Sequence, residues 1–481
     1  MLLDRIKALE QESKSLHGNG KTRQEWTHQM TEFGLRFLNE LEESKTYFSP
    51  DAAIKNPDGW TISEEGYPMD RLLTIYENEI LHRGINAASG GHFGYIPGGG
   101  LYPGAIGDYL AATGNTYSGI AYASPGGAQM EEALIHWMCQ LAGWDHEAGG
   151  TLTSGGSLAT LTAFIVARDR FIQECSQIRH ACIYLTSQVH HCIHKAIHLA
   201  GLHFAQIRRV RMREDFTMDT DDLRKTIEED VKAGLVPMIL VGSAGTTDTG
   251  IIDPLETMAD MAREFQMWYH IDAAYGGFFA LVPELIHLFK GWEKADSIVI
   301  DPHKGLFLPY GIGAVLIRDR KLLFQSMRYS AAYMQDADLE TVNYSPADFS
   351  PELTRHFRTV RMWLPLKLFG VQPIRAAIEE KYLLAQYAYR QLEQAGWYMG
   401  PKPVLSVFLF RVGNSKGSNE VNRLIIQDIH ADGHQFISST SLDGIFWLRI
   451  AVLSFRSHLK QVEQLLALIT HARNRHDAPD S

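Results

Sequence analysis

Residues 297–305 read Ser-Ile-Val-Ile-Asp-Pro-His-Lys-Gly, a short apolar strand pattern that ends in a cluster of polar side chains. Ligands of open α/β sheets bind at the carboxyl ends of the strands, so Lys304 stands where a ligand would lie. A lysine at a half-buried strand end is costly unless it is paired or used. Burial lowers the pKa of such an amine, which can then attack a carbonyl carbon.

A carboxylate stands at another predicted strand end upstream of Lys304. The apolar run 268–272 ends in Asp272 and is followed by Ala273 and Ala274. The separation, 304 − 272 = 32 residues, is about one strand–helix–strand unit, so both groups can share one edge of a sheet. A carboxylate there can keep a pyridine nitrogen protonated, which makes the ring an electron sink. Taken alone, Asp272 is more typical of a helix cap or a turn.

Three further segments suit a flat, phosphorylated ligand. Residues 153–160, Thr-Ser-Gly-Gly-Ser-Leu-Ala-Thr, precede a predicted helix, whose free N–H groups favour a phosphate. They lack the Gly-Lys-Ser/Thr of a P-loop. His190 follows a predicted strand and can stack on a ring or act as an acid or base near neutral pH. The hydroxyls of 245–250 can bond a ring oxygen, although turns use the same residue types.

The middle of the chain alternates between strand and helix patterns. Strands that are apolar on both faces and separated by helices predict a mostly parallel sheet covered on both sides. We expect few elements in 86–104, which contains three consecutive glycines, and in the polar stretch 321–356. The predicted strands are 181–185, 204–210, 237–241, 268–272, 297–300, 313–317, 404–412 and 444–452, and the predicted helices are 129–142, 158–175, 193–199, 255–265, 357–369, 373–394, 419–430 and 458–473.

The amino-acid composition indicates which binding partners and which cellular compartment to expect for this protein. The 481 residues carry a net charge of −11, which disfavours nucleic acid and anionic membranes as partners. The four cysteines include no Cys-x-x-Cys pair, and we expect reduced thiols in a cytoplasmic protein. The first 21 residues read as a polar amphipathic helix without the apolar core of a signal peptide. No run of about 18 apolar residues predicts a membrane span.

The chain resembles the group II pyridoxal-phosphate-dependent amino-acid decarboxylases, which include aromatic-L-amino-acid, glutamate and cysteine-sulfinate decarboxylases. The resemblance implies an α/β fold of type I with three parts: an N-terminal helical dimerisation segment (1–85), a large cofactor-binding domain with a mostly parallel seven-stranded sheet (86–375) and a small C-terminal α/β domain (376–481). It also implies a homodimer with active sites at the interface. The resemblance runs from about residue 65 to 473 and rests on HFGYIPGGGLYP (92–103), ASPGGAQMEE (123–132), TSGGSLATLTA (153–163), His190, GTTDTG (245–250), HIDAAYGG (270–277), ADSIVIDPHKG (295–305) and FWLRIAV (446–452).

The same resemblance implies a role for individual residues. Lys304 holds pyridoxal 5′-phosphate covalently, and Asp272 pairs with the ring nitrogen. A mobile catalytic loop, about 329–350, carries Tyr344 as the proton donor, with Tyr329 and Tyr333 as alternatives. The other implied positions are His190 stacked over the ring, Ala274 packed on it, Thr246 beside its ring oxygen, Gly156, Ser157, Asp301 and His303 around the phosphate, and Tyr95, Pro97 and Arg449 near the substrate.

The predicted reaction is decarboxylation of an L-amino acid, with an aromatic one slightly favoured. Tyr117, Gly119 and Leu158 depart from the residues usual in aromatic-specific members, so the substrate stays open. Alternatives on the same cofactor are aldehyde synthesis, transamination, decarboxylation of an acidic amino acid and carbon–carbon lyase chemistry. A relative that only binds the cofactor is a further alternative. A zinc hydrolase built on His190, His191 and His194 is a remote one, because the Glu expected after the first His is absent. We expect no metal.

Overall fold

The computed structural model describes residues 1–49, 60–329 and 345–476, and its architecture is α/β. The strands of the described part are Tyr47–Phe48 (β1), Gly84–Ile85 (β2), His92–Phe93 (β3), Gly149–Thr153 (β4), Ala181–Leu185 (β5), Gln206–Arg209 (β6), Val236–Ser243 (β7), Trp268–Asp272 (β8), Ser297–Ile300 (β9), Gly313–Ile317 (β10), Tyr398–Met399 (β11), Val407–Arg411 (β12), Phe436–Leu442 (β13) and Ile445–Ala451 (β14).

The α-helices of the described part are Leu2–Ser13 (α1), Gly20–Glu40 (α2), Met69–Tyr76 (α3), Tyr102–Gly114 (α4), Pro125–Leu141 (α5), Gly156–Phe171 (α6), His191–Leu199 (α7), Thr220–Lys232 (α8), Leu255–Glu264 (α9), Pro302–Gly305 (α10), Arg320–Met327 (α11), Thr359–Phe369 (α12), Gln372–Gln394 (α13), Asn419–Asp432 (α14) and Leu459–His476 (α15). Shorter 3₁₀ helices span Lys14–His17, Cys175–His180, Gly277–Leu281, Ile286–Phe289, Trp292–Lys294, Pro346–Phe349 and Lys416–Ser418, and a π-helical turn spans Glu77–Leu81.

The central sheet has seven strands in the order β4-β10-β9-β8-β7-β5-β6. Only β10 runs antiparallel to its neighbours, so the predicted mostly parallel seven-stranded sheet is confirmed. Successive side chains point to opposite faces, and β9 gives Ile298 and Ile300 to one core and Val299 to the other. The two apolar faces that the sequence pattern required are therefore both covered by helices.

Strand β4 was not predicted, because its first two residues are glycines. In the sheet, Gly150 lies so close to β10 that a Cβ atom would stand 2.1 Å from the carbonyl oxygen of Val315. The glycine therefore permits the close approach of two backbones rather than marking a turn.

The small C-terminal sheet has five strands in the order β11-β12-β14-β13-β3. Its edge strand β3 comes from residues 92–93 and pairs parallel with β13. Phe93 belongs to the apolar core of this sheet. The glycine-rich segment that follows β3 thus begins on the small sheet and leads towards the large one.

Two predictions about the C-terminal half need correction. The stretch 321–356 contains helix α11, capped at Asp319 and anchored by buried Leu323 and Met327, and a 3₁₀ helix at Pro346–Phe349. Strand β13 was missed because its polar residues 438–441 hid a buried start at Phe436. Tyr344, Tyr333 and most of the predicted catalytic loop lie outside the described residues.

The predicted domain boundaries stay predictions. Helix α13 begins against the core of the large sheet with Ile374 and Ile378 and continues into the core of the small sheet with Leu384. Helices α1 and α2 bury none of their residues. Within the described ranges, every helix is too short or too polar to cross a membrane.

The chain that follows residue 345 is fastened to the large sheet by a buried ion pair. Arg355 donates from Nη2 to Glu131 Oε1 at 3.0 Å, and both side chains are at most 2% exposed. Glu131 also accepts hydrogen bonds from Thr151, Leu152 N–H and Thr359. A carboxylate with four donors offsets the cost of its own burial.

We predict that Glu131→Gln lowers the free energy of unfolding by about 3 kcal/mol, because it leaves the Arg355 guanidinium buried without its counter-charge. Urea unfolding at fixed protein concentration measures the change. Glu132→Gln is the matched control, since that side chain is 41% exposed and pairs with Arg320 at 3.4 Å; its cost should stay below about 1 kcal/mol. Equal losses for the two variants would contradict the prediction.

Candidate active site

A cavity of about 370 Å³ opens at the carboxyl ends of the central strands. Parallel strands bring the residues that follow them to one edge of the sheet, which is why distant segments meet here. Nine of the predicted site residues line it: Gly156, Ser157, His190, Thr246, Asp272, Ala274, Asp301, His303 and Lys304.

Lys304 lies on the single helical turn α10, directly after β9. Its Nζ is 3.1 Å from Asp301 Oδ2, and the lysine side chain is 20% exposed. Burial lowers the pKa of Lys304, but the charges of Asp301 and Asp272 and the hydrogen bond to Asp301 outweigh it, so the pKa stands above its ordinary value. The expectation of a lowered pKa is therefore wrong for this arrangement, and the amine must pass a proton on before it can attack a carbonyl carbon.

Asp301 is almost fully buried and organises the turn. Its Oδ2 faces Lys304, whereas Oδ1 has no hydrogen-bond partner among the described residues. Glycines surround it: a Cβ atom at Gly313 would stand 2.5 Å from Oδ1, and one at Gly156 would stand 3.0 Å from Oδ2. The carboxylate thus occupies space that side chains at these positions would fill.

His303 directs Nε2 towards Asp301, with 3.8 Å between Nε2 and Asp301 Oδ2. Nδ1 donates to the carbonyl oxygen of Ile312, since a carbonyl can only accept. Burial lowers the pKa of His303, against the raising effect of Asp301. The neutral ring therefore carries its proton on Nδ1 and keeps a lone pair on Nε2.

Asp272 ends β8 and lies in register with Ser243 of β7 and Val299 of β9. Its Oδ1 accepts a hydrogen bond from Ala274 N–H at 3.1 Å, which fixes the carboxylate at the strand end. The small side chain of Ala274 lies beside it in the cavity wall. This arrangement leaves room for a flat group between Asp272 and the other walls.

The start of helix α6 forms another part of the wall, next to Asp301. A helix leaves its first N–H groups without intrahelical acceptors, which here includes those of Gly156 and Ser157. Gly155 has φ +155° and precedes the helix, and its N–H is bound by Thr153 Oγ1 at 3.3 Å. Free N–H groups and the positive end of the helix dipole create a site for an anion.

His190 caps helix α7 from the end of the loop after β5. Its Nδ1 accepts the N–H of Cys192 at 3.3 Å, so the neutral ring carries its proton on Nε2. Burial lowers the pKa of His190, partly opposed by Asp272. The ring is therefore uncharged near neutral pH, as a group that stacks on an aromatic ring should be.

Thr246 has a buried hydroxyl that is already engaged in its turn. It lies 2.6 Å from the hydroxyl of Thr249 and accepts the N–H of Ile251 at 3.1 Å. If Thr249 donates within the pair, the Thr246 hydroxyl proton stays free for a ligand oxygen.

Three residues predicted near the substrate lie apart from the cavity wall described here. Tyr95 is 61% exposed, and Pro97 is buried. Arg449 is 3% exposed and donates to the carbonyl oxygens of Tyr95, Thr247 and Asp248 and to Ser438 Oγ. These bonds leave one N–H of Nη2 uncommitted, and the assignment of Arg449 to a substrate carboxylate stays a prediction.

Other residues of the wall were not assigned an individual role in the site from the sequence. Most are neighbours of predicted ones, namely Ser154, Gly155, Leu158, Gly245, Thr247 and Tyr275. Cys192 and Ser243 are different: Cys192 reads as one more buried thiol, and Ser243 extends β7 two residues beyond the predicted strand. The apolar strand pattern that leads up to Ser243 was the only feature of the sequence that could have pointed to this residue.

The histidines do not form a zinc site. His191 and His194 are exposed, whereas His190 faces the cavity. In the described ranges, no three His, Cys, Asp or Glu side chains are grouped to hold a metal ion.

The residues fit pyridoxal phosphate. The wall offers a carboxylate for a ring nitrogen (Asp272), an amine for a carbonyl carbon (Lys304) and a helix N-terminus for a phosphate. The unpartnered Oδ1 of Asp301 and the glycine-lined space around it indicate that this wall is built for further polar contacts.

Comparison with known proteins agrees with this chemistry. A family model described as the pyridoxal-dependent decarboxylase conserved domain matches residues 57–411, well over half of the chain. The aromatic-L-amino-acid decarboxylase of Bacillus atrophaeus is 28% identical over 468 residues, covering 95% of this chain and 96% of that protein. The phenylacetaldehyde synthase of Petunia hybrida is 25% identical over 454 residues, covering 88% and 89%.

The fold is shared with solved structures of the same kind. The crystal structure of Oryza sativa TDC with PLP and tryptamine superposes with a TM-score of 0.89 at 22% identity, covering 95% of this chain and 99% of that one. The chain therefore belongs to the pyridoxal-dependent decarboxylase family, and it is a carboxy-lyase that uses pyridoxal phosphate.

Proposed function

We propose that the enzyme converts an L-amino acid, with an aromatic one slightly favoured, to the corresponding amine and carbon dioxide. The observation that carries the proposal is that Lys304, Asp272 and His190 line one cavity beside the free N–H groups of helix α6. The preference for an aromatic substrate is supported by relatives named aromatic-L-amino-acid, tyrosine and tryptophan decarboxylases.

Each wall of the cavity has a distinct task. Pyridoxal phosphate, when bound, supplies a carbonyl carbon for an amine and a ring that accepts the electron pair left by carbon dioxide. Lys304 Nζ would hold it, Asp272 would keep the ring nitrogen protonated, and Gly156 and Ser157 N–H would bind the phosphate. His190 would cover one face of the ring and exclude water from it.

Two residues are candidates for returning a proton to the substrate carbon. His190 carries a proton on Nε2, because Nδ1 is occupied by the Cys192 N–H. Tyr344 lies outside the described residues and remains the candidate that the family resemblance implies. In that family a tyrosine at this position accompanies simple decarboxylation, which disfavours aldehyde synthesis as the main reaction.

We predict that a panel of amino acids will show release of carbon dioxide with the matching amine, greatest for an aromatic substrate, and that Lys304→Ala will abolish it. Borohydride should fix a pyridoxyl group on Lys304 and on no other lysine. The control is Lys294→Ala, a half-buried lysine paired with Asp260, which should keep wild-type turnover. Wild-type carbon dioxide release by Lys304→Ala would refute the proposed role, and aldehyde with peroxide in place of amine would favour the alternative reaction.

The acidic limb of the pH profile should reflect His190. Burial holds the pKa of His190 below its ordinary value near 6.5, so the ring stays neutral to more acidic pH. We therefore expect activity to fall only at a pH below about 6.5. We predict that His190→Gln lowers kcat about a hundredfold and removes this limb. His194→Gln, on the exposed side of α7, should leave both the rate and the limb unchanged. A limb that survives in His190→Gln would assign it to another group.

We propose that the enzyme is a homodimer and that helices α1 and α2 contribute to the interface. These helices expose Leu2, Leu3, Ile6, Leu9, Trp26 and Met30. Apolar side chains in such number on helices with no buried residue are typical of a surface that a partner covers. The four free cysteines support a reducing, cytoplasmic setting.

Replacing Leu3, Ile6 and Leu9 together by Ser should weaken the dimer about a hundredfold or more, because each side chain loses the apolar area that it buries. Analytical ultracentrifugation over a range of concentrations measures the dissociation constant. A variant with Asp4→Ser and Lys7→Ser, on a different face of α1, should match the wild type. An unchanged dissociation constant in the triple variant would place the interface elsewhere.

A further inference from the structure

A glycine-rich loop, residues 88–101, runs from the small sheet to the turn that carries Lys304. Gly98 touches that turn so closely that a Cβ atom would stand 2.1 Å from the carbonyl oxygen of His303. Leu101 N–H donates to the carbonyl oxygen of Phe307 at 2.7 Å. The loop therefore contacts the backbone on both sides of Lys304.

The turn itself is held in an uncommon conformation. Phe307 is 1% exposed and has φ +58°, a left-handed backbone that costs a non-glycine residue free energy. Such a conformation persists only where the surroundings enforce it. Its carbonyl bond from Leu101 and the contact of its ring with Phe455, at 6.3 Å between centroids, are two such constraints.

Arg456, from the small domain, binds the loop at three points. Nη1 donates to the carbonyl oxygens of Ala88, at 3.1 Å, and of Gly99, and Nη2 donates to that of Gly100 at 3.4 Å. The guanidinium also lies 4.3 Å from the centre of the Phe455 ring. It joins the two ends of the loop and the aromatic side chain that touches Phe307.

The charged guanidinium of Arg456 faces carbonyl oxygens and the Phe455 ring. Across the described ranges, no carboxylate lies within ion-pair distance of it. Burial lowers its pKa to about 10, so it remains charged near neutral pH. Hydrogen bonds from a cation to neutral oxygens are stronger than those from a neutral donor. Lysine can reproduce them only in part, because its ammonium is a point charge without the planar fork of a guanidinium.

We propose that Arg456 is a positioning residue, which holds the glycine-rich loop against the turn of Lys304 and thereby sets the place of the amine. The consequence for catalysis rests on the proposed function, whereas the consequence for the loop does not. A guanidinium outside the cavity thus links the small domain to the reacting amine through Gly99, Gly100, Leu101 and Phe307.

Hydrogen–deuterium exchange of the holoenzyme tests the link directly. In Arg456→Met, the amide of Leu101 should exchange tenfold faster or more, because its bond to Phe307 opens, while the amides of β9 keep their wild-type rates. The kcat for amine formation should fall about a hundredfold, the usual cost of a displacement near 1 Å. Arg456→Lys should recover part of both effects.

A chemical rescue separates positioning from a general loss of stability. Arg456 lines a solvent-open cavity of about 950 Å³, through which methylguanidine can enter. Millimolar methylguanidine should slow the Leu101 exchange and raise kcat in Arg456→Met, with no effect on the wild type. Arg423→Met is the matched control: Arg423 lies on helix α14 of the same domain, 49% exposed and paired with Glu420.

The outcomes are distinct. Wild-type exchange at Leu101 in Arg456→Met would overturn the proposal, and so would an equal rise across the central strands or in Arg423→Met. If the wild type forms no amine, the proposed function fails, yet the exchange of Leu101 still decides whether Arg456 holds the loop.

Discussion

The ion pair between Lys304 and Asp301 is the interaction on which the site depends. A buried ammonium is unfavourable without a counter-charge, and the sheet supplies that charge from the residue directly after β9. The register of β8 with β9 then places Asp272 beside the same edge. Two carboxylates and one amine thus meet at one edge of the sheet, each at or just after the end of a strand. The spacing and register of the strands therefore set the positions of the Lys304, Asp301 and Asp272 charges relative to one another.

Close backbone approach is the second constraint, and glycine meets it in each part of the chain. Gly313 makes room for Asp301, Gly98 for the carbonyl oxygen of His303, and Gly119 for that of Leu353, which a Cβ atom would approach to 2.0 Å. The contacts of Gly98 and Gly119 join segments that are far apart in sequence, and that of Gly313 joins β10 to the residue after β9. These glycines therefore do more than turn the chain: they let separate elements pack closely together, and Gly98 and Gly313 do so beside residues of the cavity.

The site could be predicted from the ends of the strands, because the carboxyl ends of parallel strands lie side by side at one edge of the sheet. The strands 181–185, 268–272, 297–300 and 313–317 were predicted with the bounds observed, and nine predicted residues meet in one cavity. What could not be read depends on contacts distant in sequence. No nearby residues in the sequence indicate that β3 pairs with β13 or that Gly150 lies in a strand. The same is true of the carbonyl oxygens that Arg449 and Arg456 bind. The raised pKa of Lys304 is of the same kind, since it depends on which carboxylates face the amine.

Among the described residues of the cavity wall there is no arginine that could hold a phosphate. Among the described residues of its wall, Lys304 is paired with Asp301, and the remaining candidate cations are His190 and His303. Burial lowers the pKa of both rings, so neither brings a full positive charge near neutral pH. An anion must therefore be bound by dipoles, chiefly the N–H groups at the start of α6. A phosphate beside His303 would in turn favour protonation of Nε2, because Nδ1 already donates to Ile312. In this arrangement the phosphate itself would create the second donor that holds it.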